Sequence, residues 1–243
     1  MCIRDSSGTT RDSLDVEITR DGQLYTVVDT AGLRKKARVE DDTIERFSTL
    51  RALNSISQAD VTVLVIDAED GVTEQDSKIA GLAHDQGKGL IIAINKWDLL
   101  EKNHKTVKAY TLKVREALKF APYAPIVFIS ALSGKRCPRV IQTVRDVAKG
   151  RSLRVPTQRL NRCFEIALKN KTLPVYRGRP VKLYYATQVD IQPPRFVLFL
   201  NFPKGMHFSH MRYLKNSLRK QFEFLGTDIK LVTRKKAGNR KAA

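Results

Sequence analysis

The hydrophobic and polar positions change period several times along the chain. Leu14–Thr19 alternates apolar with polar, which predicts a half-exposed strand. Asp21-Gly22 then marks a tight hairpin turn, and Leu24–Asp29 is the expected partner strand. Ile44, Phe47, Leu50 and Leu53 recur at helical spacing. Val61–Asp67 and Leu90–Asn95 are continuous apolar runs rich in β-branched residues, as expected of strands buried on both faces. Residues 74–86 predict a helix between these two runs. A helix over Val107–Leu118, a strand over Ile126–Ser130 and a helix over Arg139–Val147 follow. Strands alternating with helices of ten or more residues predict an α/β fold with a mostly parallel sheet covered on both faces. Ligands of such sheets bind beyond the carboxyl ends of the strands. Asp29, Asp67, Asn95 and Ser130 each close a predicted strand.

The composition shifts near Lys149–Pro156. Beyond it the pattern predicts helix Asn161–Lys169, strands Val181–Val189 and Arg195–Phe202, helix His210–Phe224 and strand Asp228–Thr233. Two helices on a three-stranded sheet make a small α+β domain. On its second helix Met211, Leu214, Leu218 and Phe222 trace an apolar face, and Arg212, Lys215 and Arg219 trace an opposing basic one. The expected division is 1–150, 151–233 and a basic, low-hydrophobicity tail at 234–243.

Charge sharpens that division. The 243 residues carry a net charge of +19, of which residues 151–243 hold 21 Lys and Arg against 4 Asp and Glu. A near-neutral segment is joined to a strongly basic one, which points to nucleic acid as a partner, because each cation that meets a phosphate releases a counterion. No apolar run approaches a membrane span. Cys2, Cys137 and Cys163 form no paired motif, so a reducing cytoplasm is the expected compartment. His207 and His210 have a spacing that can hold a metal, with no third ligand near.

Four short stretches carry candidate chemistry. Asn95-Lys96-Trp97-Asp98 follows an apolar strand. A buried carboxylate at Asp98 would accept from the N1–H and exocyclic amine of guanine, a donor pair that adenine lacks. Asn95 can bond the purine N7, and the Lys96 stem can lie on the base. Ser130 to Gly134 reads Ser-Ala-Leu-Ser-Gly and places the Ala131 amide for guanine O6. Asp29-Thr30-Ala31-Gly32 also follows a strand: Asp29 can hold a magnesium-bound water, and the Gly32 amide can reach a γ-phosphate. Thr10, with Thr9 beside it, supplies a hydroxyl for Mg2+.

Taken in order, these stretches resemble the switch and base-contact motifs of a translation-factor-type GTPase. GTTRDSLDVEI, DTAGLRKK, NKWDL, RVPTQRLNR, YYATQVDIQPPRFVLFLN and MRYLKNSLR extend the resemblance to the bacterial tandem GTPase family Der (EngA), from Gly8 to Thr233. The resemblance implies a P-loop-NTPase-like sheet, truncated at its N-terminus, followed by a KH-like domain that resembles an RNA-binding fold but lacks the G-x-x-G phosphate clamp, and no G-x-x-G occurs in residues 151–243. It implies GTP or GDP with Mg2+, and K+, as cofactors. The nucleotide contacts it implies are Asp29, Thr30, Ala31, Gly32, Asn95, Lys96, Asp98, Leu99, Ser130, Ala131 and Leu132, with Thr10 on the metal. Implied partners are the large ribosomal subunit and its rRNA, and a preceding GTPase domain of the same polypeptide. No G-x-x-x-x-G-K-[ST] occurs in the 243 residues, and Ser133 to Arg136 is only a near-miss. The chain is therefore expected to be a fragment of a GTP-hydrolysing factor, inert by itself, or else an RNA-binding remnant. Leu33 stands where many small GTPases carry a water-orienting glutamine, so no general base is assigned.

Overall fold

A computed structural model describes residues 15–28, 52–100 and 104–236. The chain divides into two compact units, residues 1–60 and 61–243. In the first, β1 (Asp15–Arg20) and β2 (Gln23–Val28) pair antiparallel, with Arg20 opposite Gln23 across the Asp21-Gly22 turn. Both turn residues have positive φ, at 52° and 73°, the geometry of a tight two-residue hairpin loop. Residues 52–58 are helical.

The second unit opens with three parallel strands, β3 (Val61–Asp67), β4 (Gly89–Asn95) and β5 (Ile126–Phe128), in that order across the sheet. Each crossover carries a helix, α1 (Glu74–Asp85) and α2 (His104–Ala117), and α3 (Cys137–Arg151) follows β5. Thr73 and Asp76 close a reciprocal capping box at the start of α1: each side chain bonds the other's backbone N–H. The expectation of burial on both faces holds for β4, where every residue from Gly89 to Ile94 is buried. It fails for β3, whose Val65 is 51% exposed. The same strand buries Leu64 and Ile66 on its other face, so β3 is covered on one side where β4 is covered on both.

The chain then forms α4 (Thr157–Asn170), a two-residue ribbon of β6 (Val175–Tyr176) and β7 (Arg179–Pro180), and the long hairpin β8 (Leu183–Ile191) and β9 (Pro194–Leu200). Helix α5 (Phe208–Gln221) leads to β10 (Lys230–Lys235), which lies parallel to β9 on its free side. Leu160, Phe164, Leu214 and Leu218 from the helices meet Ala186, Phe196, Leu198 and Leu200 from the sheet in one buried cluster. This is the predicted two-helix, three-stranded α+β unit. The ribbon β6–β7 escaped prediction because two-residue strands carry no period.

The expected boundary near residue 150 falls within the second unit, where the segment between α5 and β10 runs against the parallel sheet. Leu90 donates its N–H to the Gly226 carbonyl at 2.7 Å, and Gly226 donates its own to the Tyr123 carbonyl at 3.2 Å. Gly226 has φ +63°, and a Cβ there would overlap the Val147 methyls, with Cγ1 at 2.9 Å. Alanine at 226 combines left-handed strain with overpacking. We expect Gly226→Ala to lower stability by about 2–4 kcal/mol, read as a fall in urea midpoint at constant slope. A midpoint matching the parent would show that this junction is not closely packed.

Candidate functional site

The carboxyl ends of β3, β4 and β5 lie side by side, with Asp67 in register with Asn95 and Ile94 with Phe128. Backbone pairing continues past the strand ends: Ala68 donates to the Asn95 carbonyl at 2.9 Å and Trp97 to the Ile129 carbonyl at 3.1 Å. The first bond joins the ends of β3 and β4, and the second holds the loops after β4 and β5 against each other. The side chain of Asn95 ties them directly, since its Oδ1 accepts the Ala131 N–H at 2.9 Å. With its oxygen engaged, the Asn95 amide presents N–H donors as its remaining capacity, which suits an acceptor such as a purine N7. The Ala131 N–H is in turn spent on Asn95, so a bond from it to a ligand would have to share or exchange that partner.

The four residues from Asn95 to Asp98 alternate in role. Lys96 adopts φ +57° and pairs with Asp67, Nζ to Oδ2 at 2.7 Å. That hydrogen bond and the carboxylate charge raise the Lys96 pKa above its ordinary value. Trp97 is buried, with its ring 4.3 Å from that of Phe128 and 5.3 Å from that of Tyr110 between centroids. Tyr110 in turn donates its hydroxyl to the Ala68 carbonyl at 3.2 Å, which anchors α2 to the strand ends. Asp98 turns outward and lines a cleft with Trp97, Phe128, Ile129, Ser130, Lys135 and Arg136. The expectation of a buried Asp98 is corrected: the residue is exposed at the cleft mouth, because the tryptophan beside it takes the interior position.

Ser130 is buried, and its hydroxyl accepts from the Ser133 N–H at 3.3 Å and lies 2.8 Å from the Ser133 hydroxyl. Those bonds shape the loop. Leu99 and Leu132, 57% and 82% exposed, stand in the two loops that Asn95 joins. Lys135 and Arg136 in the cleft were not among the expected contacts. In sequence their stretch resembles only an incomplete phosphate loop; its place after a strand that ends beside Asn95 is the signal that puts it at the cleft. Thr10, Asp29, Thr30, Ala31 and Gly32 lie outside the described residues. Among the described residues no group of three His, Cys, Asp or Glu could hold a metal. His207 instead caps α5, accepting from the Ser209 N–H at 3.3 Å.

Comparison with known proteins accounts for both parts of the chain. Residues 3–150 match the model of the elongation factor Tu GTP binding domain, and residues 154–234 match that of the KH-domain-like, C-terminal part of EngA bacterial GTPase enzymes. The GTPase Der of Agathobacter rectalis is 48% identical over 98% of this chain and 54% of its own length. The chain belongs to the Der (EngA) GTPase family. The GTPase Der of Caldanaerobacter subterraneus is 47% identical, over 96% of this chain and 53% of its own length. The chain thus spans about half the length of the curated Der relatives it matches. Among solved structures, Era in complex with MgGDPNP and nucleotides 1506–1542 of 16S ribosomal RNA is 21% identical. It covers 99% of this chain and 86% of its own, with a TM-score of 0.49.

In the part that matches the Der KH-like model, the expected basic face of α5 does not exist as predicted. Arg212 is exposed, but Lys215 and Arg219 turn toward Asp228, at 3.2 and 3.7 Å. Arg219 also donates to the Phe224 carbonyl at 2.8 Å and the Thr227 carbonyl at 2.7 Å. Its guanidinium lies 5.0 Å from the centre of the Tyr123 ring. Burial lowers its pKa, opposed by the Asp228 charge. Two of the three cations assigned to a partner are therefore spent inside the protein. No helix of the described residues is long and apolar enough to cross a membrane.

Proposed function

We propose that the chain carries a guanine-reading part, residues 1–150, and an RNA-facing part, residues 151–233, with a basic tail at 234–243. In the whole protein these parts would belong to a cytoplasmic switch that hydrolyses GTP and serves assembly of the large ribosomal subunit. Asp98 would accept from the guanine edge, Asn95 would donate to N7, and Lys96 and Leu99 would flank the base. Ser130, Ala131 and Leu132 would form the facing loop. Asp29, Thr30, Ala31 and Gly32 would meet the γ-phosphate, and Thr10 the Mg2+. A K+ ion and a preceding GTPase domain of the same polypeptide complete the proposal. The observation that carries it is the 2.9 Å bond from Ala131 to Asn95, which holds the two candidate base-contact loops together beside the Asp98 cleft.

A second reading is favoured by the absence of a G-x-x-x-x-G-K-[ST] loop from these 243 residues and by the cations of residues 151–243. On it, the chain alone is an RNA-binding piece with no turnover. Backbone amides and a lysine of such a loop hold the β- and γ-phosphates, so base contacts alone leave the triphosphate unclamped. Trp97, the sole tryptophan, lines the cleft and offers one indole N–H resonance as a reporter. Millimolar GDP is expected to shift that resonance, ADP to leave it in place, and the chain to release no phosphate from GTP above buffer. Equal shifts with both nucleotides would overturn the guanine reading. Measurable turnover would overturn the inert one.

A further inference from the structure

The helices α4 and α5 cover one face of the sheet β8–β9–β10, and the residues of its other face fall into three cross-strand rows. Tyr185, Phe199 and Arg234 form the first, Thr187, Val197 and Val232 the second, and Arg195 with Lys230 the third. The side chains facing the helices, Ala186, Phe196 and Leu198, are fully buried. On the other face Tyr185 stays 41% exposed and Val232 40% exposed, while Val197, in the central strand between them, is 4% exposed, so the open surface lies at the two flanking strands. The Tyr185 and Phe199 rings stack, with centroids 4.4 Å apart and planes 15° from parallel. Tyr185 is the more exposed ring of the pair and the one a further planar ring can reach. At the neighbouring residue of β8, Lys236 sits 4.7 Å from the Tyr184 ring centre.

Aromatic rings and apolar residues in the middle of a sheet, with cations at both ends of the rows, match one ligand chemistry. Unpaired bases have π-faces that stack without regard to sequence, and their phosphates meet Arg and Lys. Duplex RNA hides those faces within its own stack. An acidic residue does adjoin the patch. Asp190 lies across from Arg195, but its Oδ1 is turned to the Ile191 N–H at 2.8 Å. We propose that the face of β8–β9–β10 that α4 and α5 leave open among the described residues is a stacking platform for single-stranded RNA, with Tyr185 taking a base and Arg195, Lys230 and Arg234 tracking the backbone. The platform rests on the RNA reading above and gives it a surface distinct from α5, whose Lys215 and Arg219 are engaged internally.

The test is fluorescence anisotropy of the full chain with a labelled, mixed-sequence single-stranded 12-nucleotide RNA and with the same sequence as a duplex, across a salt series. Tyr185→Leu is expected to weaken single-strand binding about ten-fold and to leave the salt dependence unchanged. Arg234→Gln is expected to reduce the slope of log affinity against log salt by about 0.7. Matching circular dichroism and melting would certify the fold, and Arg234, fully on the surface, serves should Tyr185→Leu not fold. If the parent binds neither RNA, the RNA reading fails and the platform with it. If the parent binds the single strand and both variants match it within two-fold, or if the duplex binds as tightly, the platform alone is wrong. Variants that alter self-association while leaving RNA affinity intact would assign the face to protein contacts and overturn the platform as well.

Discussion

Replacing Arg219 by leucine is expected to destabilise the second unit by about 3 kcal/mol or more, while Arg212→Leu, seven residues earlier on α5, should change stability by less than about 0.5 kcal/mol. Sequence offers no reason to separate the two, since both are arginines on one amphipathic helix. The structure separates them by what the guanidinium touches. Arg219 donates to two carbonyls, of Phe224 and Thr227, from a segment that carries only two acids, Glu223 and Asp228. It lies against Tyr123 from the parallel-sheet half, and Tyr123 is bonded in turn to His84, hydroxyl to Nδ1 at 2.8 Å. Burial raises the Tyr123 pKa, so the hydroxyl stays protonated in that bond. Leucine would leave two carbonyls without their charged donors and would remove the cation from the tyrosine face.

Asp228 would keep Lys215 at 3.2 Å, so the loss is smaller than for an isolated buried carboxylate. Arg219→Lys retains the charge but not the planar fork that reaches two carbonyls at once, and is expected to recover less than half of the loss. Urea unfolding of the three variants checks this. An Arg219→Leu midpoint equal to that of Arg212→Leu would return Arg219 to the solvent-facing set. The same comparison guards the RNA measurements, because a binding defect at Arg219 would report a damaged fold rather than a lost contact.

The elements best legible in the sequence are those whose period is set by local burial. The runs at Val61–Asp67 and Leu90–Asn95 are strands, and the order of strands and helices follows the pattern. Tertiary pairing was less legible. Helix α3 runs from Cys137 to Arg151, beyond the predicted Arg139–Val147, because its last turn packs against the returning segment before β10. A Cβ on Gly150 would stand 2.9 Å from the Glu223 carbonyl. Nothing near residue 150 announces that contact. The cation partners were invisible for the same reason: Asp228 becomes the counterion of α5 only when the chain turns back. At the candidate site, the order Asn-Lys-Trp-Asp was readable as a base-contact motif. Which of its residues would be buried was not, because the interior place of Trp97 depends on Phe128 and Tyr110, from β5 and α2.

Asp98→Asn is expected to exchange the base preference of the cleft from guanine to xanthine. Guanine presents two donors on this edge, N1–H and the 2-amino group, and a carboxylate accepts both. Xanthine keeps the N1–H donor but carries an oxygen at position 2. Asparagine supplies one acceptor and one donor, the complement of that edge. Each mismatched pairing leaves a polar group unsatisfied, at a cost of about 1–3 kcal/mol, so the ratio of GDP to XDP affinity should move by a hundred-fold or more between parent and variant. The exposure of Asp98 at the cleft mouth places the exchange toward the low end, since water can partly solvate an unpaired group there. The Trp97 indole resonance reads both titrations on one chain, and matching circular dichroism and melting of parent and variant would certify the fold. Loss of GDP response without any gain for XDP would mean that Asp98 acts through loop structure. Retention of GDP preference would remove Asp98 from the base edge altogether.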